Sequence, residues 1–182
     1  MKGAWWPKMV GPDGPESPST INPFLMWQQP HPILLSELIY RARPTQETLA
    51  RYQALVFETA DLLASFPHYD SKRDRYVLGP PLIPAQEVFP PLRTFNPTFE
   101  LEYFRFGLAS AQAWRERLQL PRKPEWDEVL DKLSPLPERD GPASPRDGEA
   151  AATGRRCHPA PPARPRAARP MRPRRRPGAR PC

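Results

Sequence analysis

The sequence predicts an all-α fold, on three observations. Apolar residues recur at helical spacing in four stretches. Val, Ile and Thr are sparse, and no alternating apolar–polar run appears except at Arg75–Leu78. Prolines cluster between the periodic stretches, or at their first turn, where a helix tolerates them.

Each element follows from its residues. Ile33–Arg43 sets Leu34, Leu35, Leu38, Ile39 and Ala42 at helical spacing, and Pro44 ends it. Thr45 then caps a second helix with Glu47 in its first turn, running to about Phe66. Its stripe is Leu49, Tyr52, Val56, Ala60 and Leu63, widened by Leu55, Leu62 and Phe66. The very short connection predicts an antiparallel helical hairpin. A third helix opens at Asn96-Pro97 and reaches Leu118, with Phe99, Tyr103, Phe106, Ala113 and Trp114 as its expected face and Ser110 among them. Pro121 and Pro124 break the chain before a short fourth helix, Glu125–Leu133. Two long loops remain. Residues 1–32 carry seven prolines yet also Trp5, Trp6, Phe24 and Trp27, so this segment is expected to pack or to line a pocket. Pro67–Phe95 is long enough to suggest a functional loop.

Charge divides the chain in two. Of its 182 residues, the last 28 hold ten Arg, eight Pro, five Ala and no acid. The net charge of +7 therefore belongs to the tail, and residues 1–154 are mildly acidic. That argues against a nucleic-acid-binding face on the globular part. Residues 1–137 are expected to form the folded body. Residues 138–182 are expected to be a disordered linker and Arg/Pro-rich tail, because they lack the apolar area that offsets ordering entropy. The tail's dominant residue types also share GC-rich codons, so it is open whether its composition was selected at all. No stretch approaches a membrane span. Met1–Trp6 lacks a signal peptide's apolar region, which leaves a cytoplasmic location by default. Cys157 and Cys182 both lie in the tail, so neither disulfides nor zinc thiolates organise the body.

Two motifs carry a resemblance. Gly3-Ala4-Trp5-Trp6-Pro7, followed by Gly14 and Glu16, resembles the Gly-Ala-x-aromatic-Pro segment of the glycoside hydrolase family 65 central domain, the family of maltose and kojibiose phosphorylases. Tyr76-Val77-Leu78-Gly79-Pro80 to Glu87, followed by Asn96 at a helix start, is similar to the acid loop of the six-hairpin glycosidase superfamily. Pro84-Ala85-Gln86-Glu87 also resembles the Ser-Pro-Glu-Asn turn of α-fucosidases with that fold. The resemblance implies a partial (α/α)6 toroid over residues 1–137 and a carbohydrate-active enzyme. It departs from the phosphorylases, since Glu87 lies seven residues beyond Pro80 and a single Asn96 stands for their double Asn. Phosphate specificity is therefore not implied. A toroid has twelve helices and this chain supplies about four, so a fragment, inactive alone, is expected.

Cleaving a glycosidic bond requires a carboxylic acid that stays protonated near neutral pH. Glu87, in a run with Leu82, Ile83, Val88, Phe89 and Leu92, suits that role if the loop is dry, and the resemblance places the general acid there. The plainer alternative is an exposed Glu87, or one paired with Arg93. A second carboxylate or bound phosphate would complete an inverting site. Asp13, Glu16, Glu100 and Glu102 are the carboxylates available, though turn and helix-start chemistry accounts for the last three. Trp5, Trp6, Lys8, Trp27, Gln28, Gln29, His31 and Asn96 supply the aromatic faces and polar groups that bind sugars. Trp27 and His31 serve a core equally well. A lone His without Cys or a second nearby His is no metal site, and no cofactor is implied.

The expected partner is an oligosaccharide. Nucleic acid is expected to bind only non-specifically, through the tail, and open helix faces are expected to promote self-association. The alternative is an all-α interaction module whose Arg/Pro-rich tail binds acidic partners or nucleic acid.

Overall fold

In the computed structural model the described residues are 1–137. They form a mostly helical fold: α1 (His31–Ala42), α2 (Gln46–Ser65), a hairpin of β1 (His68–Asp70) and β2 (Arg75–Val77), then α3 (Thr98–Arg117) and α4 (Pro124–Lys132). Among these residues no helix is long and apolar enough to cross a membrane. The predicted tail lies outside the described residues.

Helix ends follow local chemistry. The side chain of Thr45 accepts a hydrogen bond from the Thr48 amide at 3.2 Å, capping α2 as its sequence predicts. Prolines open α1 and α4 where no backbone donor is needed. Asn96, by contrast, does not cap α3. It sits at φ 45°, and its backbone N–H and side-chain Oδ1 bind the backbone O and N–H of Leu78, both at 2.9 Å. Pro97 takes the cap position with no side-chain bond.

The all-α expectation needs correction, since the loop after α2 contains a two-stranded antiparallel sheet. His68 pairs with Val77, Tyr69 with Tyr76 and Asp70 with Arg75. The tilted ring pair Tyr69–Tyr76, 5.3 Å between ring centres, supplies the cross-strand contact, and Asp74 at φ 48° closes the turn. With three residues per strand, there is little room for the alternation that reveals a strand in sequence.

The core lies between α1, α2 and α3, with α4 closing one end. Leu49, Val56, Ala60 and Leu63 of α2 meet Leu101, Phe104, Leu108, Ala111 and Trp114 of α3, and Trp126 and Val129 come from α4. Gly107 allows the close approach: a Cβ there would stand 2.6 Å from Leu63 Cδ1 and 3.4 Å from Pro30 Cβ. Two expected faces are rotated. On α3 the expected Phe99, Tyr103 and Phe106 stack along the outer side, and Phe99 is exposed. On α1 the expected stripe is the wrong one: Leu35, Leu38 and Ile39 are 57%, 52% and 41% exposed, while Ile33, Ser36 and Glu37 are buried. Both helices are apolar on two sides, so spacing alone could not select the buried one.

Glu37 is the reason α1 turns as it does. Its carboxylate accepts hydrogen bonds from Arg117 at 2.6 and 3.1 Å, from Arg41 at 2.9 Å and from the Trp114 indole at 2.8 Å. Burial pushes its pKa up, but the donors outweigh burial and hold it at about 2. Removing the charge strands buried donors and a guanidinium. Glu37→Gln is therefore expected to lower stability by ~3 kcal/mol near neutral pH. A depressed carboxyl stabilises the fold above its unfolded pKa and loses that contribution as pH falls through the folded value. The gap between parent and variant, read by urea denaturation, is thus expected to narrow from about pH 4.5 downward.

Candidate active site

The two long loops are brought together against the start of α3. Ile83 N–H donates to Phe24 O at 2.8 Å, and Leu25 and Ile83 form a parallel bridge. Proline-rich segments have few backbone partners of their own, so their polar groups are satisfied by side chains. Gln29 binds both ends of Trp6: Oε1 accepts from its amide at 2.9 Å, and Nε2 donates to its carbonyl at 2.8 Å. Gln28 Nε2 donates to the same carbonyl at 3.2 Å. Asn22 Oδ1 accepts from the Lys8 amide at 3.0 Å. The Trp6 indole donates to Thr59 Oγ1 of α2 at 2.9 Å, and Trp5 packs against the core. Ala4 N–H reaches Glu58 O at 3.0 Å, and a Cβ on Gly3 (φ 82°) would lie 2.1 Å from that same oxygen, which reserves this position for glycine.

Lys8 and Glu87 join the loops through their side chains. Lys8 Nζ donates to Glu87 Oε1 at 2.5 Å, and the two side chains are 28% and 25% exposed. Glu87 ends the turn Pro84–Glu87, closed by its amide on Pro84 O at 2.8 Å, and has φ 55°. The expected dry apolar sleeve is not its surrounding. Leu82 and Ile83 are buried, but Val88 and Leu92 are 76% and 73% exposed, and the charge beside Glu87 is an ammonium. The expected alternative pairing with Arg93 is replaced by this one with Lys8.

The dry carboxyl is Glu100. It is fully buried in the first turn of α3, and its Oε1 accepts from Ala85 N–H at 2.8 Å, two residues before Glu87. Its other oxygen, Oε2, is buried without a partner. Burial pushes its carboxyl up to about 7, despite the backbone donors that act the other way. Phe99 and Leu101 flank it in sequence, and it shares the buried side of α3 with Phe104, Gly107 and Ala111, a four- and seven-residue spacing that marks it as inward-facing. The usual preference of acids for helix starts conceals that signal.

Beside Glu100, an aromatic line runs along the first turns of α3. The Trp27 ring meets His31 edge-on at 5.4 Å, and His31 Nδ1 shares a 2.7 Å hydrogen bond with the Tyr103 hydroxyl. Burial lowers the His31 pKa and pushes the Tyr103 hydroxyl up to about 12, so a neutral imidazole faces a neutral phenol. The Trp27 indole N–H and Gln28 Oε1 are buried without partners. Among the remaining candidate carboxylates, Glu16 accepts from Asn22 Nδ2, Glu102 pairs with Arg105 at 3.4 Å, and Asp13 is exposed.

The structure thus joins Lys8 to Glu87 and ties Glu100 to the same turn through Ala85, while Trp27 and His31 make their contacts with each other and with Tyr103. Gln29 and Asn96 spend their amide groups on loop backbone, as Gln28 does with its NH2, and Trp6 spends its indole N–H on the Thr59 hydroxyl. The chain matches no family model, and no curated protein matches it.

A carboxyl raised on folding stabilises below its unfolded pKa and loses that contribution as pH rises through the folded value. Glu100→Gln, which keeps an acceptor for Ala85, is therefore expected to gain on the parent between about pH 4.5 and 7. The relative gain is on the order of 3 kcal/mol, less the cost of an unpaired NH2. Urea melts at pH 4.5 and pH 8 measure it, and a pH-independent difference would contradict the buried setting.

Proposed function

We propose that residues 1–137 are part of a six-hairpin, (α/α)6-type catalytic domain of a carbohydrate-active enzyme. In this reading Glu87 is the general acid that protonates the leaving glycosidic oxygen. The observation that carries the reading is the Lys8–Glu87 contact, which sets the candidate carboxyl on the Trp5–Trp6 segment, 79 residues away in sequence. Both motifs of the resemblance thereby belong to one place. Lys8 offers hydrogen bonds to sugar hydroxyls, and Trp27, half-buried with its ring edge on His31, offers a platform for the C–H face of a ring. The α1–α2 hairpin, joined through only three residues, is the repeating unit such a toroid would need.

The chemistry asks Glu87 to be neutral when the substrate is bound. An attacking water needs a separate base, and Glu100 faces inward toward Ala85 rather than toward Lys8. The 182-residue chain is therefore expected to bind oligosaccharide weakly and to turn none over. Amide NMR of the full chain, titrated with a panel of α- and β-linked oligosaccharides, checks this. Saturable shifts at Lys8, Trp27 and Glu87 are expected, weakened at least tenfold by Lys8→Met. Unchanged spectra across the panel, or shifts confined elsewhere, would overturn the carbohydrate reading.

A further inference from the structure

Helix α1 is apolar on both sides, and only one side is covered. Its inner face packs on α2 and α3 through Ile33, Tyr40 and the buried Glu37. On the other face, Leu35, Leu38, Ile39 and Ala42 repeat at three, four and seven residues, and all four are exposed. A contiguous exposed apolar stripe of this kind ordinarily marks an interaction surface. The stripe runs on into a groove of about 420 Å³ between the end of α1 and the start of α2, lined by Ile39, Ala42, Arg43, Thr48, Arg51 and Tyr52, with Glu47 at its edge. Stripe and groove together have the form of a receptor for one more helix.

We infer that this face docks an amphipathic α-helix of another polypeptide, with leucine-like residues on its inner side and acidic residues beside them. Three observations select that occupant. The rim is cationic: Arg43 and Arg51 line the groove against the single acid Glu47, while Arg41, two residues before Arg43, is paired with Glu37. Residues 138–182 contain no Leu, Ile, Val, Phe, Tyr or Trp, so that segment has nothing to fill the stripe. A second copy would bring the same net positive rim against itself, whereas an acidic flank satisfies it. The inference does not depend on the carbohydrate reading, although the added helix would suit a larger helical domain.

The test uses the full chain and two synthetic 18-residue helical peptides. Both carry Leu at three-, four- and seven-residue spacing; one is flanked by Glu and the other by Lys. Fluorescence anisotropy is expected to give micromolar affinity for the Glu-flanked peptide, at least tenfold tighter than for the Lys-flanked one at low salt. Leu38→Asp, an exposed position whose change leaves the core intact, is expected to abolish binding, with an unchanged circular dichroism spectrum confirming the fold. The double variant Arg43→Glu, Arg51→Glu is expected to reverse the preference between peptides. Equal affinity for both peptides, or undiminished binding by Leu38→Asp, would overturn the inference. So would a dimer in sedimentation analysis that Leu38→Asp dissociates, because the occupant would then be a second copy.

Discussion

Loops that contain so many prolines pair little with themselves, and the structure depends on how their remaining backbone polar groups are satisfied. Buried side chains act as surrogate backbone. Gln29 takes both ends of Trp6, Asn96 takes both ends of Leu78 through its amide and its own N–H, and Glu100 takes the amide of Ala85. Gln112 does the same for both ends of Lys123, at 2.9 and 3.0 Å, tying the segment before α4 to α3. Arg105 reaches the carbonyls of Leu133 and Ser134 at the other end of α4. An unsatisfied buried amide or carbonyl costs on the order of 1–3 kcal/mol, so these few side chains decide whether the loops hold their shape.

This arrangement explains what sequence could and could not convey. Helix existence was legible because Pro44, Pro97 and Pro124 punctuate it and Thr45 caps it. Helix orientation was not, because Leu35 and Leu38 are as apolar as Ile33. Only the long-range partnership of Glu37 with Trp114 and Arg117, 77 and 80 residues away, settles which side is buried. The hairpin of His68–Val77 was too short to announce itself beyond Arg75–Leu78. Among candidate site residues, the Trp- and Gln-rich character of residues 5–31 correctly marked a segment that packs. But an amide that binds a sugar and one that binds a neighbouring loop look identical in sequence. Gln29 and Asn96 prove to be fasteners, and Glu100, read as helix-start decoration, is the buried acid.

The two carboxyls near the loop junction illustrate how environment separates like groups. Glu100, sealed at the base of α3, is poised near neutrality by loss of water. Glu87, partly open, is paired with the Lys8 ammonium instead. The turn Pro84–Glu87 carries both relationships within four residues: Ala85 is gripped from below and Glu87 from above.

The fastening of residues 1–31 onto α2 and the later loop also bears on how the chain reaches this state. Contacts such as Trp6 with Thr59, Lys8 with Glu87 and His31 with Tyr103 link positions 53, 79 and 72 residues apart. Helical proteins collapse quickly when most of their contacts are local, and lose that advantage as sequence separation grows. The helices can form early and on their own, whereas the tryptophan-bearing segment has to find a surface that exists only after they have assembled. Its docking is expected to follow helix assembly, because its partners are so far apart in the chain.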